Sequence, residues 1–139
     1  MRQKHLKYIK KFGLHEIAKF FDYCSHQETI QHLLESDLLW LMNFDTVRSS
    51  GKTYEYFGAL KPVLICSPEG IIRKTVLESK AAIATEPKDV RAIEKAIKTF
   101  LYMWRTNSLP KPSEEFIQQF NRKELTAVLA RELALASEI

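Results

Sequence analysis

A polar segment in the first half of the chain carries residue types that could hold a phosphate group. It joins an apolar run to a helical one and contains Arg48, Ser49, Ser50, Gly51, Lys52 and Thr53. Free amide groups and the positive dipole at a helix N-terminus attract phosphate, and Gly51 would let the backbone approach it closely. Glu55, one turn further, could accept hydrogen bonds from ribose hydroxyls beside the phosphates. The same residues would also suit a polar loop with an ordinary helix cap.

The run Gly51-Lys52-Thr53 raises the alternative of a P-loop, the phosphate-binding loop of many ATPases. That motif needs a glycine five residues before Gly51, and Thr46 stands there. A P-loop should also form a tight turn directly after a strand. A Walker-type phosphotransferase is therefore the least favoured of the functional alternatives.

Histidine and cysteine spacing favours neither a metal site nor a disulfide framework. His26 and His32 are six residues apart, so they do not share a helix face. Cys24 and Cys66 each lie in an apolar stretch, which predicts buried, reduced thiols in the cytoplasm. We therefore expect no metal and no resident cofactor.

The elements that must position the polar segment alternate between helix and strand. Strands are predicted at residues 17–21, 38–42, 62–66 and 81–84. This order predicts an α/β fold, a Rossmann-like parallel sheet of about four strands with helices on both faces. Ser25 and Glu28 have the spacing of a capping box, which begins a helix. Trp40 lies in an apolar run without alternation, so we expect it in the core with Trp104.

The length and the net charge of the chain limit which classes of protein it can belong to. The 139 residues predict one domain, 1–139, in which residues 113–139 form C-terminal helices. No apolar run approaches the ~20 residues needed to span a bilayer. The net charge is +4, and the densest cations are Arg2, Lys4, Lys7, Lys10 and Lys11 on the first predicted helix. They indicate either a solvated face or attraction to an anionic substrate or to the inner face of a membrane. Aromatic residues are not interleaved with cations as in nucleic-acid binding, so we expect no nucleic-acid partner.

Four stretches, in matching order, resemble segments of the bacterial group-one glycosyltransferases, retaining enzymes with the GT-B fold. They are FFDYCSHQE at 20–28, LESDLLWL at 34–41, GKTYEYFGALKPVL at 51–64 and FNRKELTAVLA at 120–130. The resemblance covers nearly the whole chain. It implies the C-terminal, nucleotide-sugar-binding domain of an enzyme of polysaccharide biosynthesis.

The resemblance also implies roles for individual residues. Glu55 matches the glutamate that hydrogen-bonds the donor's ribose. The backbone amides that match the segment facing the diphosphate are those of Gly51, Lys52, Thr53 and Tyr54. The loop that matches the wall beside the nucleobase is Tyr23, Cys24 and Ser25. Such enzymes move a sugar from a nucleotide diphosphate to an acceptor without an essential metal, and cations and a helix dipole stabilise the departing diphosphate.

The chain departs from the family pattern in two ways. Val47 stands where many relatives carry a second glutamate, and the family's diphosphate-gripping Arg and Lys come from earlier strands that this chain lacks. We therefore expect a truncated domain with no complete catalytic set and without the N-terminal domain that binds the acceptor. Its sheet would be rearranged, or a homodimer would cover the edge beside the 17–21 strand. The alternative from another class is a non-catalytic α/β module that binds a nucleotide or a partner.

We predict that the purified 139-residue chain transfers no sugar on its own, because the residues matching the family are those of donor binding alone. Release of nucleoside diphosphate from UDP-, GDP- and ADP-sugars in the presence of candidate acceptors measures this. Robust turnover would contradict the expectation.

Overall fold

A three-stranded parallel sheet forms the centre of the fold. The computed structural model describes residues 2–21, 23–47 and 51–137. The strands are β1 (Leu39–Met42), β2 (Val63–Cys66) and β3 (Ala82–Thr85). The helices are α1 (Arg2–Lys11), α2 (His26–Glu35), α3 (Gly51–Gly58), α4 (Ile71–Glu78), α5 (Val90–Arg105), α6 (Glu114–Gln118) and α7 (Arg122–Ser137). This is the mixed α/β architecture that the alternating pattern predicts.

The strands lie in the order β1-β2-β3, and both pairs are parallel. All four side chains of β2 are buried, because the strand has a neighbour on each side and helices on both faces. The side chains of β1 alternate instead: Leu39 and Leu41 are buried, whereas Trp40 and Met42 are exposed. One face of β1, at the edge of the sheet, is therefore open to solvent.

Helices cover the two faces of the sheet with separate apolar clusters. On one face, Phe57 of α3, Val76 of α4 and Phe116 of α6 pack in one cluster with Val63 and Ile65 of β2. On the other face, α5 packs against the sheet, and its buried residues join those of β2 in a set of four: Leu64, Cys66, Ala96 and Phe100. Because α3 and α4 connect neighbouring strands in one direction across the sheet, crossovers of one hand place both on the same face.

An aromatic cluster fixes the C-terminal part of the chain to α3. The ring of Phe57 lies 4.9 Å from that of Phe116 and 5.1 Å from that of Phe120. Tyr54 joins it, with its ring centroid 5.4 Å from that of Phe120. Edge-to-face and tilted contacts at these separations are favourable beyond the area that they bury. Residues 113–120 thus hold α3 against the sheet.

The predicted strand at residues 17–21 does not form, so the sheet has three strands rather than about four. The amides of Ile17 and Ala18 donate to the carbonyl of Leu14 instead of entering a ladder. The side chains of Ile17 and Phe21 are exposed. A short apolar run does not itself distinguish a strand from a surface turn, and here local turn bonding prevails.

The expectation that both tryptophans lie in the core is wrong. Trp40 and Trp104 are each about half exposed, since α5 covers β2 and β3 but leaves the outer face of β1 open. The indole Nε1 of Trp40 donates to the Sγ atom of Cys66 at 3.1 Å. Both cysteines are free thiols, and Cys66 is buried as expected, whereas Cys24 is only partly buried.

Helix α7 has no buried residue over its length. Leu125, Leu129 and Leu133 are all exposed. Among the described residues, no helix combines the length and the apolar character required to cross a bilayer.

We predict that Gly70→Ala destabilises the fold by about 1–3 kcal/mol, the range for overpacking a filled site. A Cβ atom at Gly70 would lie 2.4 Å from the backbone oxygen of Thr46, which also accepts a hydrogen bond from Ile71 N at 3.3 Å. Urea unfolding of the purified variants measures the loss.

Gly58→Ala is the matched control, because a Cβ atom there has nothing within 4 Å. It should be neutral or should stabilise α3 by up to about 1 kcal/mol through helix propensity. Equal unfolding midpoints for the two variants would show that Gly70 is not needed for close packing.

Candidate functional site

The carboxyl edge of the sheet gathers polar residues from all three strands. Asn43 follows β1, Ser67 follows β2 and Glu86 follows β3. In open parallel sheets, ligands bind at this edge. It is therefore the place to compare with the residues that the sequence singles out.

The loop after β1 is ordered by its own side chains. Asn43 Nδ2 donates to the carbonyl of Asp45 at 2.8 Å, and the Asp45 amide donates to Asn43 Oδ1 at 3.2 Å. The Val47 amide then donates to Asp45 Oδ1 at 2.8 Å. Short polar side chains favour such turns because they replace backbone partners. The described part of this loop lies against Gly70, at the start of α4.

An arginine that the sequence does not single out contacts the residues that follow two of the strands. Arg73, in α4, is largely buried and donates from Nη1 to the carbonyl of Ser67 at 3.0 Å and to Glu86 Oε1 at 2.5 Å. Its Nη2 lies 3.4 Å from Glu69 Oε1. Two carboxylates offset its charge, so Arg73 positions the edge rather than offering a cation to a ligand. The only sequence signal for it is the four-residue spacing from Glu69.

Glu55 points away from the core. Its side chain is 36% exposed, and its Oε1 lies 4.0 Å from Nδ1 of His26, the first residue of α2. The two residues line a groove of about 250 Å³ between α2 and α3. The rest of its lining is apolar or small: Ile30, Leu33, Leu34, Gly58 and Ala59. His26 is exposed and Glu55 is only partly buried, so any attraction between them is weak, but the pair puts two hydrogen-bonding groups beside an apolar wall.

The first turn of α3 divides between surface and core. Gly51 and Lys52 are exposed, and open space lies where a Cβ atom of Gly51 would be. Thr53 is 1% exposed, and among the described residues its Oγ1 atom has no hydrogen-bond partner, nor does the buried Oγ of Ser67. Tyr54 packs into the aromatic cluster. Arg48 and Ser50, which we also predict to be in the site, lie outside the described residues.

The loop Tyr23–Ser25, predicted to form the wall beside the nucleobase, only partly provides such a surface. Tyr23 is 99% exposed, so its side chain has no protein surface behind it. Ser25 caps α2: the amide of Glu28 donates to its Oγ at 3.3 Å, and the Ser25 amide donates to Glu28 Oε2 at 2.7 Å. The capping box that the spacing predicts is therefore confirmed. His26 follows directly and faces Glu55, so the start of α2 and the middle of α3 do meet.

Tyr56 lies next to Glu55 and is half-buried. Burial raises the pKa of its phenol, and the negative charge of Glu55 raises it further. Its hydroxyl is 3.5 Å from the Trp40 carbonyl, a long hydrogen bond at the rim of β1. The phenol is thus kept as a neutral donor throughout the physiological range.

The described residues contain no group of three or more His, Cys, Asp or Glu side chains that could hold a metal ion. Comparison with family models, with curated proteins and with solved structures finds no match to this chain.

We predict that Ser25→Ala destabilises the protein by about 1 kcal/mol at neutral pH, the usual cost of losing an N-cap side chain. Hydrogen bonds from the Ser25 hydroxyl and then the Ser25 amide lower the pKa of Glu28. Because the pKa of Glu28 is lowered in the folded state, its ionised form stabilises the fold at pH values above the ordinary pKa of glutamate. This contribution is lost as the pH falls through the pKa of the folded state. The difference between wild type and variant should therefore shrink in acid.

Urea unfolding at neutral pH, and in buffer below the ordinary pKa of glutamate, tests this. Ser36→Ala is the control, since that hydroxyl donates to the His32 carbonyl at 2.7 Å and involves no carboxylate. An Ser25→Ala deficit that stays constant with pH would contradict the capping account.

Proposed function

We propose that this chain binds a nucleotide-diphosphate sugar, the donor of a glycosyl transfer, at the edge where β1 ends and α3 begins. The observation that carries the proposal is the position of Glu55. Its carboxylate is accessible beside the start of α2, instead of being buried in the core. The resemblance to group-one glycosyltransferases supplies the ligand class, since Glu55 and the α2 loop both fall in matching stretches.

The spacing along α3 suits the two parts of such a ligand. Glu55 is four residues after Gly51, which is about 6 Å along a helix axis. A diphosphate at the free amides of the first turn would leave the ribose near the second turn, within reach of the Glu55 carboxylate. This separation weakens the repulsion between the carboxylate and the phosphates but does not remove it. His26 would then face the ribose or the base from α2.

In this proposal the three strands belong to a GT-B C-terminal domain, and the chain supplies donor binding rather than a full catalytic set. Val47 offers no carboxylate where many of the resembled enzymes have one, and Arg73 is already occupied by Glu86 and Glu69. Diphosphate departure needs cations from outside these residues. Acceptor binding likewise belongs to another domain of the enzyme.

A non-catalytic partner-binding module is the second candidate, favoured by the apolar surface on the α5 side of the sheet. Leu38, Leu101 and Trp104 line a cavity of about 330 Å³ there. Two residues of β1 that follow Leu38 closely in sequence, Trp40 and Met42, are exposed. Contiguous apolar patches of this kind often mark protein interfaces.

We predict that Glu55→Ala weakens binding of nucleoside diphosphates about tenfold or more, because a hydrogen bond to a charged group is worth about 1.5–3 kcal/mol. Calorimetric titration with UDP, GDP and ADP, each free and as its sugar conjugate, measures the dissociation constants. Glu132→Ala is the matched control, since that carboxylate lies on the exposed helix α7.

Equal affinities of wild type and Glu55→Ala would remove the ribose role of this residue. Binding of no nucleotide, together with a tight protein partner, would favour the second candidate. Magnesium-dependent ATP binding that is lost in Lys52→Ala would instead favour a P-loop phosphotransferase.

A further inference from the structure

From His5 onward, the side chains of helix α1 pack against almost nothing. Among its residues from His5 to Lys11, only Ile9 is even partly buried. Leu6 and Tyr8 are exposed, and so is Phe12 just beyond the helix, at 63%. An isolated helix of ten residues is marginal in water, because too few hydrogen bonds repay its nucleation. A surface that buries its apolar side would stabilise it.

The segment after α1 extends this apolar surface. The amide of Leu14 donates to the Ile9 carbonyl at 2.9 Å, and the Phe20 ring lies 6.1 Å from the His5 ring. Residues 5–21 therefore fold back on themselves as one unit. Its exposed apolar side chains are Leu6, Tyr8, Phe12, Leu14, Ile17, Phe20 and Phe21.

The lysines in the last two turns of α1 lie on a different side of the helix from its apolar residues. With 3.6 residues per turn, Lys7, Lys10 and Lys11 fall within roughly 100° of one another around the axis. Leu6, Ile9 and Phe12 occupy an arc of roughly 120° on the opposite side. Lys11 Nζ lies 5.6 Å from the centre of the Phe12 ring, where the two sides meet.

The sign of the charge identifies the partner. Residues 1–15 hold five Lys and Arg and no Asp or Glu, whereas the other 16 Lys and Arg and 17 Asp and Glu nearly cancel. A second copy would bring the same cations against these, which is unfavourable. Nucleic acid would satisfy the cations and stack on the aromatic rings, but it offers nothing to the aliphatic side chains of Leu6, Leu14 and Ile17. An anionic bilayer surface satisfies both, since it takes apolar groups at the headgroup level and attracts lysine.

We propose that residues 5–21 bind the surface of an anionic lipid bilayer, with α1 lying in the plane of the membrane. Leu6, Ile9 and Phe12 enter the headgroup boundary, and the lysines extend to the lipid phosphates. Ile17, 78% exposed, enters from the following turns. The site lies on residues other than those of the proposed nucleotide groove and does not depend on it.

Sedimentation of the whole purified chain with lipid vesicles tests the proposal. We expect strong partition onto vesicles of equal parts phosphatidylcholine and phosphatidylglycerol, and little onto phosphatidylcholine alone. Each lysine near an anionic surface strengthens partition about fivefold, so replacing Lys7, Lys10 and Lys11 with alanine should weaken it about a hundredfold. The matched control replaces Lys74, Lys88 and Lys95, which are exposed elsewhere and leave the same net charge.

Replacing both Phe12 and Ile17 with serine should weaken partition onto anionic vesicles while leaving the net charge unchanged. All these positions are exposed, and circular dichroism confirms that each variant keeps its helices. Equal losses in the two lysine variants, or no preference for anionic lipid, would overturn the proposal. So would self-association in solution that the serine variant abolishes, since a second copy would then be the partner.

Discussion

The burial of β2 is the constraint on which the rest of the structure depends. All four of its side chains are withdrawn from water, so the strand needs a hydrogen-bonded neighbour on each side and an apolar layer on each face. Leu64 and Cys66 require α5, whereas Val63 and Ile65 require α3, α4 and α6. The burial of β2 therefore determines where the other strands and the core helices lie. The elements that do not meet it, α1 and α7, remain at the surface.

The sequence predicts well those elements in which local chemistry and packing agree. The helix start at Ser25 carries its own hydrogen-bond partners in Glu28, so the capping box determines its position. The structure has a similar cap at the start of α5, where the Asp89 side chain accepts from the Ala92 amide. Continuous apolar runs identify β2 because a strand covered on both faces has no polar alternation. These are short-range patterns, and they need no knowledge of the neighbours.

What depends on distant neighbours could not be predicted from the same patterns. The residues from Ile17 to Phe21 are as apolar as those of a strand, yet no neighbouring strand pairs with them and they turn back on Leu14. Trp40 lies in a run as apolar as β2, but its exposure follows from the place of β1 at the edge. In the candidate site, the sequence indicates Glu55 and the α3 start. Two contacts follow only from how the helices and strand ends assemble. His26 lies opposite Glu55, and Arg73 forms an ion pair with Glu86.

The aromatic cluster has a mechanical consequence for α3. Tyr54 is in the first turn of α3, and its ring lies against Phe120, while Phe57 one turn later meets Phe116. The short connection from Phe120 to α7 ends in a long helix with no anchoring of its own. A partner that binds α7 would therefore act on α3 through these ring contacts. A shift of the C-terminal helix would thus be transmitted to the amides of residues 51–54 without passing through the sheet.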